Sequence, residues 1–220
     1  LLISNKGYGL FIDNRYPMYM DVAASKQNVL DISVEGGNLR YYVIGGKSFE
    51  KVLDNYTRLT GKQPLPPLWS LGYIQSKYGY QTETQAKNIV NLLKQQDFPI
   101  DALVLDLYWF GSTNDMGNLN WDYSNWPNPV KMMEDFKKQQ VKTILITEPY
   151  VTLNSTNYSY LSQNELLAKN LDGTPFVFWG FWAGNASLLD LTNPEAQNWM
   201  WSFYHNRRNE IGRASCRERV

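Results

Sequence analysis

Cysteine and histidine are nearly absent. The 220-residue chain has one cysteine, Cys216, close to its end, and one histidine, His205. A disulfide framework and a thiolate metal site are thereby excluded. A histidine-based catalytic triad and a multi-histidine metal site are excluded as well. No metal or other cofactor is expected. Net charge is also lacking, because 21 Lys and Arg balance 21 Asp and Glu. Nothing therefore favours nucleic acid or an anionic membrane as a partner. No apolar stretch is long enough to span a bilayer. No signal peptide is visible, but the chain begins at Leu1 rather than Met. It reads as cut from something longer, so a missing signal says little.

Aromatic side chains are abundant, at 15% of residues. Such an excess fills cores, and it also suits surfaces that stack on flat apolar ligand faces. The length allows one large domain or one and a half small ones. Residues 1–46 read as β-structure. "GYGLFIDN", "PMYMDV" and "LRYYVIGG" are short aromatic and β-branched runs between Gly, Asn and Asp turn signals. They are read as the last strands of an antiparallel β-sandwich. The "GGKS" at 45–48 fails as a phosphate loop, because Tyr41 stands where that motif needs glycine. A helix is predicted after Ser48, with Phe49, Val52, Leu53 and Tyr56 on one face and Gly61 as its stop. The Pro-rich stretch near 62–67 is read as the linker that closes a first domain at 1–61.

From Trp69 onward, strands alternate with helices. "LWSLGYIQS" (68–76), "DALVLDLYWF" (101–110) and "VKTILITEPYV" (141–151) are the predicted strands. Thr82 and Gln85 form a capping box ahead of a helix lined by Ala86, Ile89, Val90 and Leu93. Asn128 and Pro129 open a second helix, with Val130, Met133 and Phe136 facing inward. Pro194 opens a third, with Ala196, Trp199, Met200, Phe203 and Tyr204 on one face. This alternation implies a parallel sheet with right-handed crossovers. A barrel and a doubly wound sheet both remain open on pattern alone. No Gly-rich phosphate loop follows any strand, so the start of a (β/α)8 barrel over 68–212 is preferred.

In a barrel the functional residues stand at the C-terminal strand ends. Tyr78 follows the first predicted strand. Asp106 sits inside the apolar second strand, where a carboxylate is costly unless something pairs with it. Ile146 and Glu148 end the third, and Trp182 lies in the aromatic loop "FWGFWAGN". Carboxylates among aromatic faces suit a sugar, whose hydroxyls donate to carboxylates and whose C–H faces stack on rings. Each has a plainer structural alternative. An acid at a strand end also serves as a cap, Trp182 as core, Glu148 as a turn cap, and His205 as an exposed or capping residue. Asn55, Asn154, Asn157 and Asn185 lie in glycosylation sequons, which matter only in a glycosylating source.

The segment "LRYYVIGGKSFEKVLDNYTRLTGKQPLPPLWSLGY" resembles the junction between the N-terminal β-sandwich and the catalytic barrel of glycoside hydrolase family 31. "FPIDALVLDLYWFG", "NLNWDYSNWPNPVKMMEDF", "ITEPYV" and "WAGNASLLDLTNPEAQNW" continue the likeness in order, over about residues 1–212. The family holds α-glucosidases, α-xylosidases and related transglucosylases. The resemblance implies an α-linked glucosyl oligosaccharide as substrate. It implies that Asp106 binds hydroxyls of the sugar in the −1 subsite, that Tyr78, Ile146 and Trp182 wall that subsite, and that Leu107 lies beside Asp106. The stretch "DLYWFG…MGNLNWD…TEPYV" is most similar to a bacterial branch of α-glucosidases and 4-α-glucosyltransferases, for which a periplasmic or extracellular site is expected ahead of a cytoplasmic one.

One departure stands out. Family members are retaining enzymes with a carboxylate nucleophile and a separate acid/base. The resemblance places the nucleophile on a fourth strand, expected to start near "NEIG" at 209–212. The chain there continues "RASCRERV", too charged for a buried barrel strand. Residues 213–220 are therefore read as foreign sequence, and neither catalytic carboxylate is expected before residue 212. Two competing readings are a non-catalytic carbohydrate-binding module, which needs a self-contained fold, and a non-sugar enzyme on a doubly wound sheet, which the missing phosphate loop weakens.

Overall fold

The computed structural model of the chain describes residues 1–215, with side chains described as far as Arg207. The chain divides into two compact units, Leu1–Leu65 and a second that begins at Pro66. The division falls within the Pro-rich stretch.

The first unit contains β1 (Leu2–Ser4), β2 (Tyr8–Ile12), β3 (Met18–Val22), β4 (Leu30–Val34), β5 (Tyr41–Gly45) and α1 (Phe49–Thr60). Three strands form an antiparallel sheet in the order β1-β2-β5, and β3 and β4 pair as a separate antiparallel hairpin. Ser48 caps α1 by accepting from the Lys51 amide, and Gly61 ends it at a φ of 94°, where other residues are strained. Of the expected apolar stripe only Val52 is buried; Phe49 and Leu53 are exposed, and the Tyr56 ring meets Phe11 edge-on at 5.2 Å.

The second unit contains β6 (Ile74–Gln75), α2 (Glu83–Gln95), β7 (Ala102–Leu105), α3 (Pro129–Lys138), β8 (Lys142–Leu145), β9 (Tyr150–Thr152), α4 (Tyr158–Gln163), β10 (Val177–Phe178), β11 (Ala186–Leu188) and α5 (Pro194–Ser215). β6, β7 and β8 are parallel neighbours in that order. β9, β11 and β10 form a small antiparallel sheet. The fold is α/β, and its core is one apolar cluster that runs from Tyr80 through the sheet to Met200.

All three predicted parallel strands are shorter than the apolar runs that suggested them. Residues 68–71 form a 3₁₀ turn, closed by the Ser70 hydroxyl on the Pro67 carbonyl at 2.7 Å. Pairing starts only where the Tyr73 amide meets Asp101 Oδ2 at 2.9 Å. β7 stops at Leu105 because Asp106 turns its own carboxylate onto the Leu107 amide, which opens a 3₁₀ helix over Leu107–Phe110. Asp106 thus stands at the end of the strand, half-buried, rather than inside it. β8 stops at Leu145, and past Pro149, which has no amide to donate, the chain joins the other sheet as β9.

The helix caps behave largely as the sequence implies. Thr82 accepts from the Gln85 amide, but the Gln85 side chain returns to the amide of Gln81, not to that of Thr82. In α3 the buried side chains are Pro129, Met132, Met133 and Phe136; Val130 is exposed. In α5 Ala196 and Met200 are buried, Trp199 and Phe203 are half-buried, and Tyr204 is exposed with its hydroxyl 2.8 Å from that of Thr147. His205 is exposed. The expected fourth strand near 209–212 is absent: the helix continues to Ser215. The expected foreign tail lies outside the described residues from 216 onward.

Three of the sequon amides are already engaged. Asn55 Nδ2 donates to Gly45 O, Asn157 Nδ2 to Gly117 O and Asn118 O, and Asn185 Oδ1 accepts from the Gly180 amide.

One buried acid joins the two helices beneath the strand ends. Glu83 is 6% exposed. Its Oε1 pairs with Lys87, and its Oε2 accepts from the Asn128 amide at 2.7 Å, capping α3. Glu83→Ala leaves that amide without its acceptor and removes a charged hydrogen bond. The expected loss is about 2 kcal/mol, read as a lower thermal midpoint of the protein that carries this segment. An unchanged midpoint would show that water replaces the carboxylate.

Candidate saccharide site

The C-terminal ends of the three parallel strands bring three chain segments to one end of the sheet. β7 delivers Asp106 and β8 delivers Ile146. These two ends are tied, because the Ile146 amide donates to Leu105 O at 3.0 Å and the Trp109 indole donates to Ile146 O at 2.9 Å. Leu107 and Ile146 line one small void with Glu148, of about 10 Å³. That is about the least that holds one water. These residues therefore form a packed wall and not an open chamber.

Tyr78 comes from the loop after β6. Its ring meets Tyr108 edge-on at 5.8 Å. The Tyr108 phenol, hydrogen-bonded to that of Tyr78, holds the Tyr78 hydroxyl above the ordinary tyrosine range, and desolvation and the nearby charges of Tyr108 and Asp106 push it the same way. Tyr78 is nevertheless 63% exposed. Its ring is thus offered to solvent.

Trp182 belongs to another segment. It sits in the loop between β10 and β11, 54% exposed. It is linked inward by rings: Trp182 to Phe181 at 5.6 Å, Phe181 stacked on Tyr150 at 4.5 Å, and Tyr150 in β9, which follows β8. Trp182 lines neither the void beside Leu107 and Ile146 nor the cleft beside Tyr108. The structure thus brings Tyr78, Asp106, Leu107 and Ile146 to neighbouring strand ends and holds Trp182 on a separate aromatic hairpin.

Two features escape a reading of the sequence alone. The first is Tyr108 as the support of Tyr78. Gly79 has a φ of 92°, and a Cβ placed there would meet the Tyr108 ring at 2.4 Å. The loop that carries Tyr78 therefore lies flat on Tyr108, and the Trp126 indole fixes Tyr108 from behind by donating to its carbonyl at 2.8 Å. The signal was the glycine directly after Tyr78, which has no meaning until its partner 29 positions on is known. Gly79→Ala is expected to strain the backbone, at a cost of order 1–3 kcal/mol, and to displace Tyr78. The measurable result is a lower thermal midpoint of the protein that carries this segment; an unchanged midpoint would show that the loop yields without strain.

The second is a broad cleft of about 630 Å³ between the loops after β6 and β7, which includes Tyr108 but not Asp106. Among the described residues no group of three or more His, Cys, Asp or Glu side chains is placed to hold a metal ion, and no helix is long and apolar enough to cross a membrane.

Comparison with known proteins places these features in context. The family model for the glycosyl hydrolases family 31 TIM-barrel domain matches residues 63–215. The chain is 30% identical over 211 residues to alpha-glucosidase 2 of Bacillus thermoamyloliquefaciens, covering 95% of this chain and 26% of that protein. It is 28% identical over 200 residues to the alpha-xylosidase XylQ of Lactiplantibacillus pentosus, covering 90% of this chain and 26% of that one. A family 31 dextranase of Flavobacterium johnsoniae, solved with glucose, superposes with a TM-score of 0.86 at 26% identity, over 94% of this chain and 25% of its own. The chain thus spans about a quarter of the length of the relatives it matches.

Proposed function

The chain belongs to glycoside hydrolase family 31, and we propose that it is part of a retaining enzyme that removes terminal α-linked glucose from oligosaccharides. In this reading β6, β7 and β8 are the first three strands of a (β/α)8 barrel, and the first unit is the end of an antiparallel β-sandwich. The observation that carries the reading is the position of Asp106. It stands half-buried at the C-terminal end of the central parallel strand, directly before Leu107, which packs with Ile146 from the end of the neighbouring strand.

The chemistry follows from the groups present. One Asp106 oxygen is committed to the Leu107 amide at 2.7 Å. The remaining lone pairs accept hydroxyls of the non-reducing glucose, in charge-assisted hydrogen bonds stronger than neutral ones. The Tyr78 ring, and in the closed site the Trp182 ring, take the C–H face of the sugar. The nucleophile and acid/base that make and break the glycosyl–enzyme bond belong, in this reading, to later barrel strands. Asp106 and Glu148 are given neither role.

Turnover of aryl α-glucoside by the full-length protein, with net retention at the anomeric carbon, is the expected result. Inversion, or no turnover of any α-glycoside, would overturn the reading. A second reading, xylose in place of glucose, is supported by the match to XylQ. Aryl α-xyloside assayed side by side decides between them, and the appearance of longer oligosaccharides from maltose would mark transfer to a second sugar.

A further inference from the structure

We infer that the cleft between the loops after β6 and β7 is a second, non-catalytic site for a neutral saccharide. The inference rests on the proposed function only for which sugar is tried first; the cleft itself is argued from its own chemistry.

Its volume, about 630 Å³, lies within the range of small-molecule sites. Its lining combines amides, hydroxyls and carboxylates with an aromatic side, and it contains no Lys or Arg. Arg207 approaches it, its Nη2 donating to Asn120 Oδ1 at 3.2 Å, but the lining itself carries the carboxylates of Asp115 and Asp122, which disfavour an anionic ligand such as a phosphate. A polyol would find both donors and acceptors. The two carboxylates are partly spoken for: Asp115 Oδ2 accepts from the Ser112 amide and hydroxyl, and Asp122 accepts from the Ser124 amide and the Asn125 side chain. Neutral donors remain. The Gln81 side chain makes no hydrogen bond among the described residues. Asn118 accepts at Oδ1 from Ser155 and Thr156, which leaves its Nδ2 as a donor. Tyr108 supplies aromatic surface on which a sugar face stacks.

The cleft is also preformed, which lowers the entropy lost on binding. One wall, residues 114–118, is braced from behind. Thr152 Oγ1 donates to Asn114 O and Met116 O, and Asn157 Nδ2 donates to Gly117 O and Asn118 O. Gly117, at a φ of 98°, packs so closely on Val151 that a Cβ would meet it at 2.8 Å. Tyr108 is common to the cleft and to the Tyr78 contact. Neither Asp106 nor Tyr78 lines the cleft, so a second saccharide binds there independently.

The test uses the full-length protein with the first site disabled by Asp106→Ala. Titration calorimetry with maltotriose and with isomaltotriose is expected to show one remaining site with millimolar affinity. Adding Gln81→Ala and Asn120→Ala, both at exposed positions, is expected to weaken that site at least tenfold. Loss of all binding in Asp106→Ala alone would overturn the inference, as would binding indifferent to the two cleft substitutions. In the otherwise unaltered enzyme the cleft pair is expected to leave aryl α-glucoside turnover unchanged. An unchanged KM for long oligosaccharides, with two trisaccharides bound per chain, is the expected result; a KM raised for long oligosaccharides only would show one chain in a single extended site and overturn the inference. Absence of aryl α-glucoside turnover in the unsubstituted protein would sink the proposed function and leave the cleft result standing.

Discussion

Asp106→Ala in the full-length enzyme is expected to lower kcat/KM on an aryl α-glucoside by at least about a hundredfold. A hydrogen bond to a charged group contributes about 1.5–3 kcal/mol, and a sugar presents two adjacent hydroxyls to one carboxylate. Losing both removes about 3 kcal/mol or more of transition-state stabilisation, which is a factor of a hundred or more in rate. The fold should survive, because the only described bond of the Asp106 side chain is to the Leu107 amide at the start of a one-turn 3₁₀ helix. Asp106→Asn keeps an acceptor for that amide and removes only the charge. It should retain the thermal midpoint of the unsubstituted protein and still lose most activity. Full activity in Asp106→Asn would show that the residue is a strand cap and nothing more.

Parts of the architecture that depend on neighbours in the chain were legible in the sequence. Ser48, Thr82, Pro129 and Pro194 mark helix starts because a cap needs only the next turn of backbone. Strand ends were over-read. Apolar runs at 68–76, 101–110 and 141–151 continue past the pairing, since Leu107, Trp109 and Phe110 are buried in a 3₁₀ helix as thoroughly as Leu103 and Leu105 are in a strand. Hydrophobicity reports burial and not the hydrogen-bond partner. The exposed Val130 and the buried Met132 show the same limit inside a helix: which flank of α3 meets the sheet depends on elements far away in sequence. The sequence places Asp106 and Ile146 near strand ends, and the structure puts them directly after β7 and β8. Neither the Gly79–Tyr108 contact nor the cleft after β6 and β7 could be named. The cleft draws on Gln81, the 108–125 loop and Thr156, which only the sheet topology brings together.

The largest stability effect is expected for the 220 residues expressed alone: an aggregated or molten product. The parallel sheet has two open edges among the described residues, β6 and β8, each paired only with β7. A parallel sheet is ordinarily covered on both faces and closed or flanked at its edges. Beside β8 runs an apolar groove of about 300 Å³, walled by Trp109, Leu145, Phe203 and Tyr204, with Trp201 58% exposed along it. Contiguous exposed apolar patches of this kind drive association. The same polypeptide is expected to turn over no aryl α-glucoside, since none of its described carboxylates is assigned as nucleophile or acid/base. Near-ultraviolet circular dichroism and sedimentation of the purified 220-residue chain check the claim. A weak aromatic signal with broad, non-cooperative melting and polydisperse sedimentation is the expected result. A soluble monomer with one sharp transition would show that the two open edges cost little, and would favour a self-sufficient carbohydrate-binding module over a piece of a barrel.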